Sequence, residues 1–406
     1  MVLSLVLWTR RWPHCIKGMK VSSKKICQIA RQFSTHPPSI LTDIFGGHRS
    51  NCASTRIGKT LPRSDLQRAV SFAPQPCLRE ELLCKVAEPV RDGMNKVTVV
   101  GSGMVGVGIV NALLFQKITS HVAIVDAFPK KLEGEGMDFG HGSVFMDAPR
   151  IEYGTDFCVS SNSKVVILAA GARQKKGETR LDLVQRNADI FKNIIPPLAE
   201  YSPNAVFIIV ANPVDILAWI TWKVSGFPVN RIIGSGTHLD TARFRYLIGE
   251  RIGVSCKSVE GYIIGEHGDS QVPLWSGVNI AGIQFRDILP NIGLETDEEN
   301  WNEIAKEVVR AGPTVRCLKG YTNIAVGLSV ADITEAVLRN CQCIKTVSTL
   351  IQGHYDICHE MFLSLPCTVG ENGVTQVVRM RMTEYEKKLL QNSAEIVYGI
   401  QKDINI

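Results

Sequence analysis

The sequence predicts an α/β chain in which a doubly wound parallel sheet is followed by a mixed α+β domain. Three observations carry this. From Lys96 onward, short apolar runs alternate with amphipathic stretches of helical spacing, the pattern of strands joined by crossover helices. A glycine-rich turn, Gly101-Ser102-Gly103-Met104-Val105-Gly106, stands between the first strand and the first helix. Beyond about Gly234 the alternation gives way to a mixed pattern. That pattern closes in a long helix opened by Thr383 with Glu386 three residues on, a capping-box signature.

Residues 96–100 read as a strand, 104–116 as a helix and 121–126 as a second strand, with later buried strands over 165–169 and 205–210. Between the last two, Leu181, Val184, Ala188, Phe191 and Ile195 recur at helical spacing and set one apolar face against the sheet. The richest apolar stretch, 205–222, is interrupted by Asn212, Pro213 and Asp215. A membrane span needs roughly 20 mostly apolar residues, so this stretch reads as a buried strand, a loop and a helix. No membrane partner is expected.

A chain of 406 residues suggests two to three folding units. With 45% apolar and 21% charged residues it can bury a large core. The net charge of +6 is unevenly placed: residues 1–90 hold 14 Lys+Arg against 5 Asp+Glu, which leaves the other 316 residues at −3. A mildly acidic body excludes a general polyanion-binding role, so no nucleic-acid partner is expected. The twelve cysteines include no CxxC pair and no zinc-like spacing, which points to reduced thiols and no metal site.

The first 42 residues are of another kind. They contain no Asp or Glu but carry Arg10, Arg11, Lys17, Lys20, Lys24, Lys25 and Arg31. Cationic, acid-free N-termini are the mark of organellar transit peptides, so 1–42 reads as a mitochondrial (matrix) targeting segment, with a processing-like Arg31-Gln32-Phe33-Ser34; the other reading is an untargeted extension on a cytoplasmic protein. Residues 43–93 read as a linker ending in an arm over 78–90 that packs on a neighbouring subunit. The folded body then divides into 94–234 and 235–406.

The glycine turn is a GxGxxG preceded by a strand and followed by a helix. An acid, Asp126, ends the next strand twenty residues beyond Gly106. That context makes it a dinucleotide fingerprint of the Rossmann type. Gly101 allows the tight turn, Gly103 lets backbone approach a pyrophosphate, and Gly106 lets helix and strand pack closely. The helix N-terminus offers N–H groups to the phosphates. Asp126 suits the hydroxyls of an adenosine ribose and repels a 2′-phosphate, favouring NAD over NADP.

Four further segments follow in order: Gly171–Arg180 (GARQKKGETR), Asn212-Pro213-Val214-Asp215, Leu239-Asp240-Thr241-Ala242-Arg243, and Gly265-Glu266-His267-Gly268-Asp269-Ser270. Behind a GxGxxG, in this order and spacing, they closely resemble the L-lactate/malate dehydrogenase family, over about three quarters of the chain from Lys96. The resemblance implies reversible hydride transfer between NADH and a 2-oxo acid in a homotetramer. It makes His267 the general acid, returning as base in the oxidation direction, at a residue whose ordinary pKa suits both. Asp240 would fix its tautomer and favour the imidazolium. Arg243 would clamp the substrate carboxylate with a two-pronged contact that Lys could not reproduce. Arg180, at the end of a lid-like stretch, would polarise the carbonyl. Asn212 would place nicotinamide and substrate, Arg173 would contact the cofactor, and Thr322 would line the side-chain pocket. Of the other histidines, His141 and His238 read as structural.

Within that family a malate enzyme carries Arg on the lid to pair the second carboxylate, and a lactate enzyme carries a neutral residue. Here the position holds Gln174. Leaving a buried carboxylate unpaired costs several kcal/mol, so Gln174 favours pyruvate and lactate, although Lys175 and Lys176 make the lid basic. Arg310-Ala311-Gly312-Pro313 departs from the pattern. Proline inside a helix costs about 3 kcal/mol or more, which predicts an interrupted helix ahead of Thr322 and a distorted pocket. A malate or other 2-hydroxy-acid enzyme, and a catalytically weak NAD-binding paralogue, stay open at this point.

Overall fold

The computed structural model describes residues 95–172 and 180–406, with only the backbone of Arg180. The proposed targeting segment, the linker and arm, and the lid residues Arg173 and Gln174 lie outside the described residues.

The first half builds β1 (Val97–Val100), α1 (Met104–Phe115), β2 (His121–Val125), α2 (Pro129–Gly142), β3 (Arg150–Gly154), β4 (Val165–Leu168), α3 (Arg180–Tyr201), β5 (Val206–Ile209), α4 (Val214–Ser225) and β6 (Ile232–Gly234). These strands are parallel and ordered β3-β2-β1-β4-β5-β6. Strands covered by helices on both faces must be apolar throughout, and β1, β4 and β5 are buried along their whole length. The order reverses direction between β1 and β4. Crevices at the carboxyl ends of strands beside such a reversal are where ligands bind in open α/β sheets. On α3, Val184, Ala188, Phe191 and Ile195 are fully buried as their spacing predicts, but Leu181 is exposed. It sits on the first turn of the helix, beyond the sheet the others cover.

The second half continues with α5 (His238–Ile252), β7 (Val259–Glu260), β8 (Ile263–Ile264), β9 (Val272–Pro273), β10 (Asn279–Ile280), β11 (Ile283–Gln284) and the single turn α6 (Phe285–Ile288). It closes with α7 (Asn302–Lys319), α8 (Ile324–Leu338), β12 (Cys343–Leu350), β13 (Phe362–Gly370), β14 (Gly373–Val377) and α9 (Glu384–Gln401). The large sheet does not stop at β6. Antiparallel β12, β13 and β14 extend it to nine strands, and the seam is a single pairing of Ser348 with Gly234. A Cβ at Gly234 would stand 2.6 Å from the Ser348 Cβ, so this close approach requires glycine. The expected capping box opens α9: Thr383 accepts from the Glu386 amide, and the Glu386 carboxylate accepts from the Thr383 amide at 2.8 Å.

The expected break at Gly312-Pro313 is corrected by the structure. Helix α7 runs unbroken through both residues. Its first half is anchored well enough to absorb the proline. Ile304 and Val308 join a second core with Phe244, Trp275 and Trp301, and the Arg251 guanidinium, in the last turn of α5, stacks 4.0 Å over the Trp301 ring.

Candidate active site

The glycine turn lies against the strand ends. Gly101 has φ +104°, and a side chain there would strike the backbone of Ala170 at 2.8 Å. A Cβ on Gly106 would fall 1.8 Å from the Gly101 carbonyl oxygen, so only glycine lets α1 start this close to β1. Among the described residues a Cβ on Gly103 meets nothing within 4 Å, and none of their side chains caps the start of α1. Asp126 reaches the same loop. Its Oδ2 accepts from the Ser102 amide at 2.5 Å and the Ser102 hydroxyl at 2.9 Å, and its Oδ1 accepts from the Phe128 amide. Turn, open helix end and acid thus converge as a dinucleotide requires.

His267 is held from three sides. The preceding Gly265 exchanges two backbone hydrogen bonds with Ser364 of β13. The Glu266 amide donates to Ser393 of α9 at 3.0 Å, and the His267 amide donates to Asp215 Oδ2 at 2.9 Å. Asp215, buried on the first turn of α4, takes a second bond at 2.6 Å from Ser348, the residue that makes the sheet seam. Sheet junction, α4 and the His267 loop form one continuous chain of contacts.

Helix α5 supplies the next two groups. Its first turn carries Asp240, whose Oδ2 is 2.5 Å from His267 Nδ1. Arg243, one turn on, donates from Nη1 to Asp240 Oδ1 at 2.9 Å. Asp240 is 4% exposed while His267 keeps 27% of its side chain open, so the ring faces outward from a buried carboxylate. Burial by itself would raise the Asp240 carboxyl, but the adjoining His267 and Arg243 outweigh it and hold the acid below its ordinary range. Burial disfavours charge on His267 too, yet Asp240, helped by Asp215, raises its pKa above 6.5. Burial pushes the Asp215 carboxyl up to about 6, against the opposing pull of its bonds from Ser348 and the His267 amide and of the nearby His267 ring.

Asn212 lies on the loop between β5 and α4, three residues before Asp215. Asn212 is exposed beyond β5, and its peptide bond to Pro213 is cis. Its carbonyl accepts from Asn187 Nδ2 at 3.1 Å, while Asn187 Oδ1 accepts from the Ala172 amide at 2.7 Å. Asn187 is fully buried on α3, and it ties Ala172 to the Asn212 loop. Neither Asn187 nor Asp215 stood out as a positioning residue in the sequence. The available signal was a polar residue on an otherwise apolar helical face, three beyond Val184 and one before Ala188. Thr322 is half-buried just after α7, and its neighbour Asn323 sets its carbonyl against Gly108 of α1. Arg180 begins α3. His238 is engaged by Asp332 at 2.6 Å, in keeping with a structural role, and His141 lies exposed on α2.

Comparison with known proteins agrees with this geometry. Residues 95–234 match the model of the lactate/malate dehydrogenase NAD-binding domain, and 237–404 match that of the lactate/malate dehydrogenase alpha/beta C-terminal domain. Among curated relatives, the L-lactate dehydrogenase A chain of Ambystoma mexicanum is 47% identical over 81% of this chain and 99% of its own length. The human L-lactate dehydrogenase A-like 6A is 49% identical over 81% of this chain and 99% of its own. The L-lactate dehydrogenase B-B chain of Danio rerio is 50% identical over 78% of this chain and 95% of its own. The chain therefore belongs to the lactate/malate dehydrogenase family, NAD-dependent oxidoreductases whose cofactor domain here spans the glycine turn and Asp126.

Proposed function

We propose that the protein is an L-lactate dehydrogenase that reduces pyruvate to L-lactate and runs the reverse reaction. The observation that carries this is the His267–Asp240–Arg243 cluster, in which one buried carboxylate orients both a proton donor and an anion clamp. Bound NADH supplies the hydride for C2 of the oxo acid. The chain's own groups do the rest. Arg243 commits Nη1 to Asp240 and presents the remaining edge of its guanidinium to the substrate carboxylate. His267, with Nδ1 committed to Asp240, gives the Nε2 proton to the carbonyl oxygen as the C–H bond forms, and takes a proton back from water afterwards. Arg180 stabilises the negative charge developing on that oxygen. Asn212 positions the reacting groups and Thr322 lines the C3 pocket. Gln174, being neutral, disfavours the second carboxylate of oxaloacetate. Gly101, Gly103, Gly106, Asp126 and Arg173 hold the cofactor.

The test is NADH oxidation by the purified chain with pyruvate and with oxaloacetate at matched concentrations. Higher kcat/KM for pyruvate is expected. A preference for oxaloacetate would make it a malate enzyme, and NADH binding without turnover of either acid would make it a non-catalytic relative. The reading extends to a homotetramer clasped by the 78–90 arm, which light scattering with and without that arm would test. It also extends to matrix targeting by 1–42, for which the test is imaging of the tagged full chain beside one lacking residues 1–34.

A further inference from the structure

We infer that the cavity between the start of α9, Trp275 and the loop over 290–294 is a binding site for a small aromatic carboxylate. It encloses about 150 Å³, and none of the groups assigned above to the cofactor, the substrate or proton transfer lines it. An apolar cavity of about that size holds a benzene-sized body. Here Pro273, Ile292, Leu294 and Leu389 supply apolar wall.

Two groups make this more than a gap in the packing. Trp275 is 5% exposed, and among the described residues its indole Nε1 has no hydrogen-bond partner. A buried donor left unpaired is destabilising, so the position calls for an acceptor. The ring is fixed by T-shaped contacts to Phe244 at 4.8 Å and Trp301 at 6.2 Å, so it cannot turn to find one. Its N–H edge lies against Gly293, where a Cβ would stand 2.4 Å from Nε1. The φ of +77° favours glycine there on its own account, and the missing side chain also keeps the donor clear on the side where both residues line the cavity. The second group is Arg286 on α6, an exposed lining residue with no hydrogen bond or ion pair to the described residues. The one acid among the lining residues, Glu386, is already committed: Oε1 accepts from the Ser276 amide at 2.9 Å and Oε2 from the Thr383 amide at 2.8 Å. The cavity thus offers a buried donor and an unclaimed guanidinium around an apolar interior. An aromatic ring fills that interior, and a carboxylate is the acceptor that both donors call for.

The test is fluorine NMR of the full chain with its six tryptophans replaced by 5-fluorotryptophan, titrated with phenylacetate. Trp275→Phe assigns the signal of interest. That signal is expected to shift saturably with phenylacetate. Affinity is expected to fall about 10-fold for 2-phenylethanol, which has the same ring and no charge, and about 10-fold for phenylacetate in Arg286→Gln, the size of one charge-assisted hydrogen bond. Arg286 is exposed and outside the second core, so this variant reads the site without disturbing the packing of Trp275. A Trp275 signal that does not respond overturns the proposal, as does equal affinity for the alcohol or for Arg286→Gln, either of which would leave an apolar gap with no anion subsite. A response seen only in a chain lacking residues 1–90 also overturns it, since the cavity would then be the seat of the chain's own N-terminal segment.

Discussion

Helix α5 opens with His238 and Asp240, two positions apart, and each belongs to a histidine–aspartate pair. The pairs are alike in distance: His238 Nε2 is 2.6 Å from Asp332, and His267 Nδ1 is 2.5 Å from Asp240. They differ in what remains. His238 spends Nε2 on its partner, and its Nδ1 is buried without a hydrogen bond from any of the described residues. Its aspartate also takes the Lys345 ammonium at 2.5 Å. Although burial works the other way, His238 and Lys345 bring the Asp332 carboxyl down to about 2. That pair is a closed ion-pair network. His267 spends Nδ1, keeps Nε2 and stays partly open, on a carboxylate it shares with a guanidinium able to bind an anion. A histidine–aspartate contact therefore says little about catalysis until one knows which ring nitrogen it consumes and what sits beyond the other.

The largest effect should separate the pairs outright. His267→Gln is expected to lower kcat/KM for pyruvate by about 10³-fold, within the range of general acid catalysis, while His238→Gln stays within about threefold and costs about 1 kcal/mol of stability. Comparable losses from both would erase the distinction. Next in size is Arg243→Lys, which keeps the charge but loses the fork. A fall of about 10²-fold, carried mainly by KM for pyruvate and with NADH affinity retained, would place this residue on the substrate carboxylate.

The third prediction concerns the buried acid behind His267. Asp215 has a folded pKa of about 6, above its ordinary value of 3.8. The folded state thus binds this proton more tightly than the unfolded chain does. Its contribution to stability is complete below pH 4 and is lost as pH rises through 6. Asp215→Asn removes the buried charge and can still accept from the His267 amide while donating to Ser348. The variant should match the unsubstituted protein in stability below pH 4 and exceed it by about 2 kcal/mol at pH 8. Thermal melts across that range would show it, and a variant less stable at pH 8 than the unsubstituted chain would contradict it.

What could be read from the sequence follows the range of the interactions. The glycine turn with Asp126, the capping box of α9 and the buried face of α3 depend on neighbours within a few turns, and spacing alone exposes them. The His267 cluster draws on α4, α5 and a loop far apart in sequence, so it emerged from the family's motif order and not from any local pattern. Asn187 and Asp215 escaped because their partners, Ala172, Asn212, Ser348 and the His267 amide, become neighbours only when the strands assemble. The nine-stranded sheet escaped for the same reason: β12 and β13 pair across a loop and join the parallel strands at one residue pair. Pro313 misled in the opposite sense. Its local cost is real, but the anchoring of α7 through Trp301, Ile304 and Val308 outweighs it.

The claim that Asp240, and not the neighbouring pair, sets His267 up as the proton donor is tested most directly by the pH dependence of kcat/KM for pyruvate reduction. In the proposed mechanism protonated His267 is the active form in that direction. A pKa raised by Asp240 extends activity to higher pH, and the rate falls as pH rises through that value. The account predicts an alkaline limb above pH 6.5 in the unsubstituted enzyme, displaced to lower pH in Asp240→Asn and unmoved in Asp332→Asn. A limb that stays in place in Asp240→Asn, or moves equally in both variants, would contradict it.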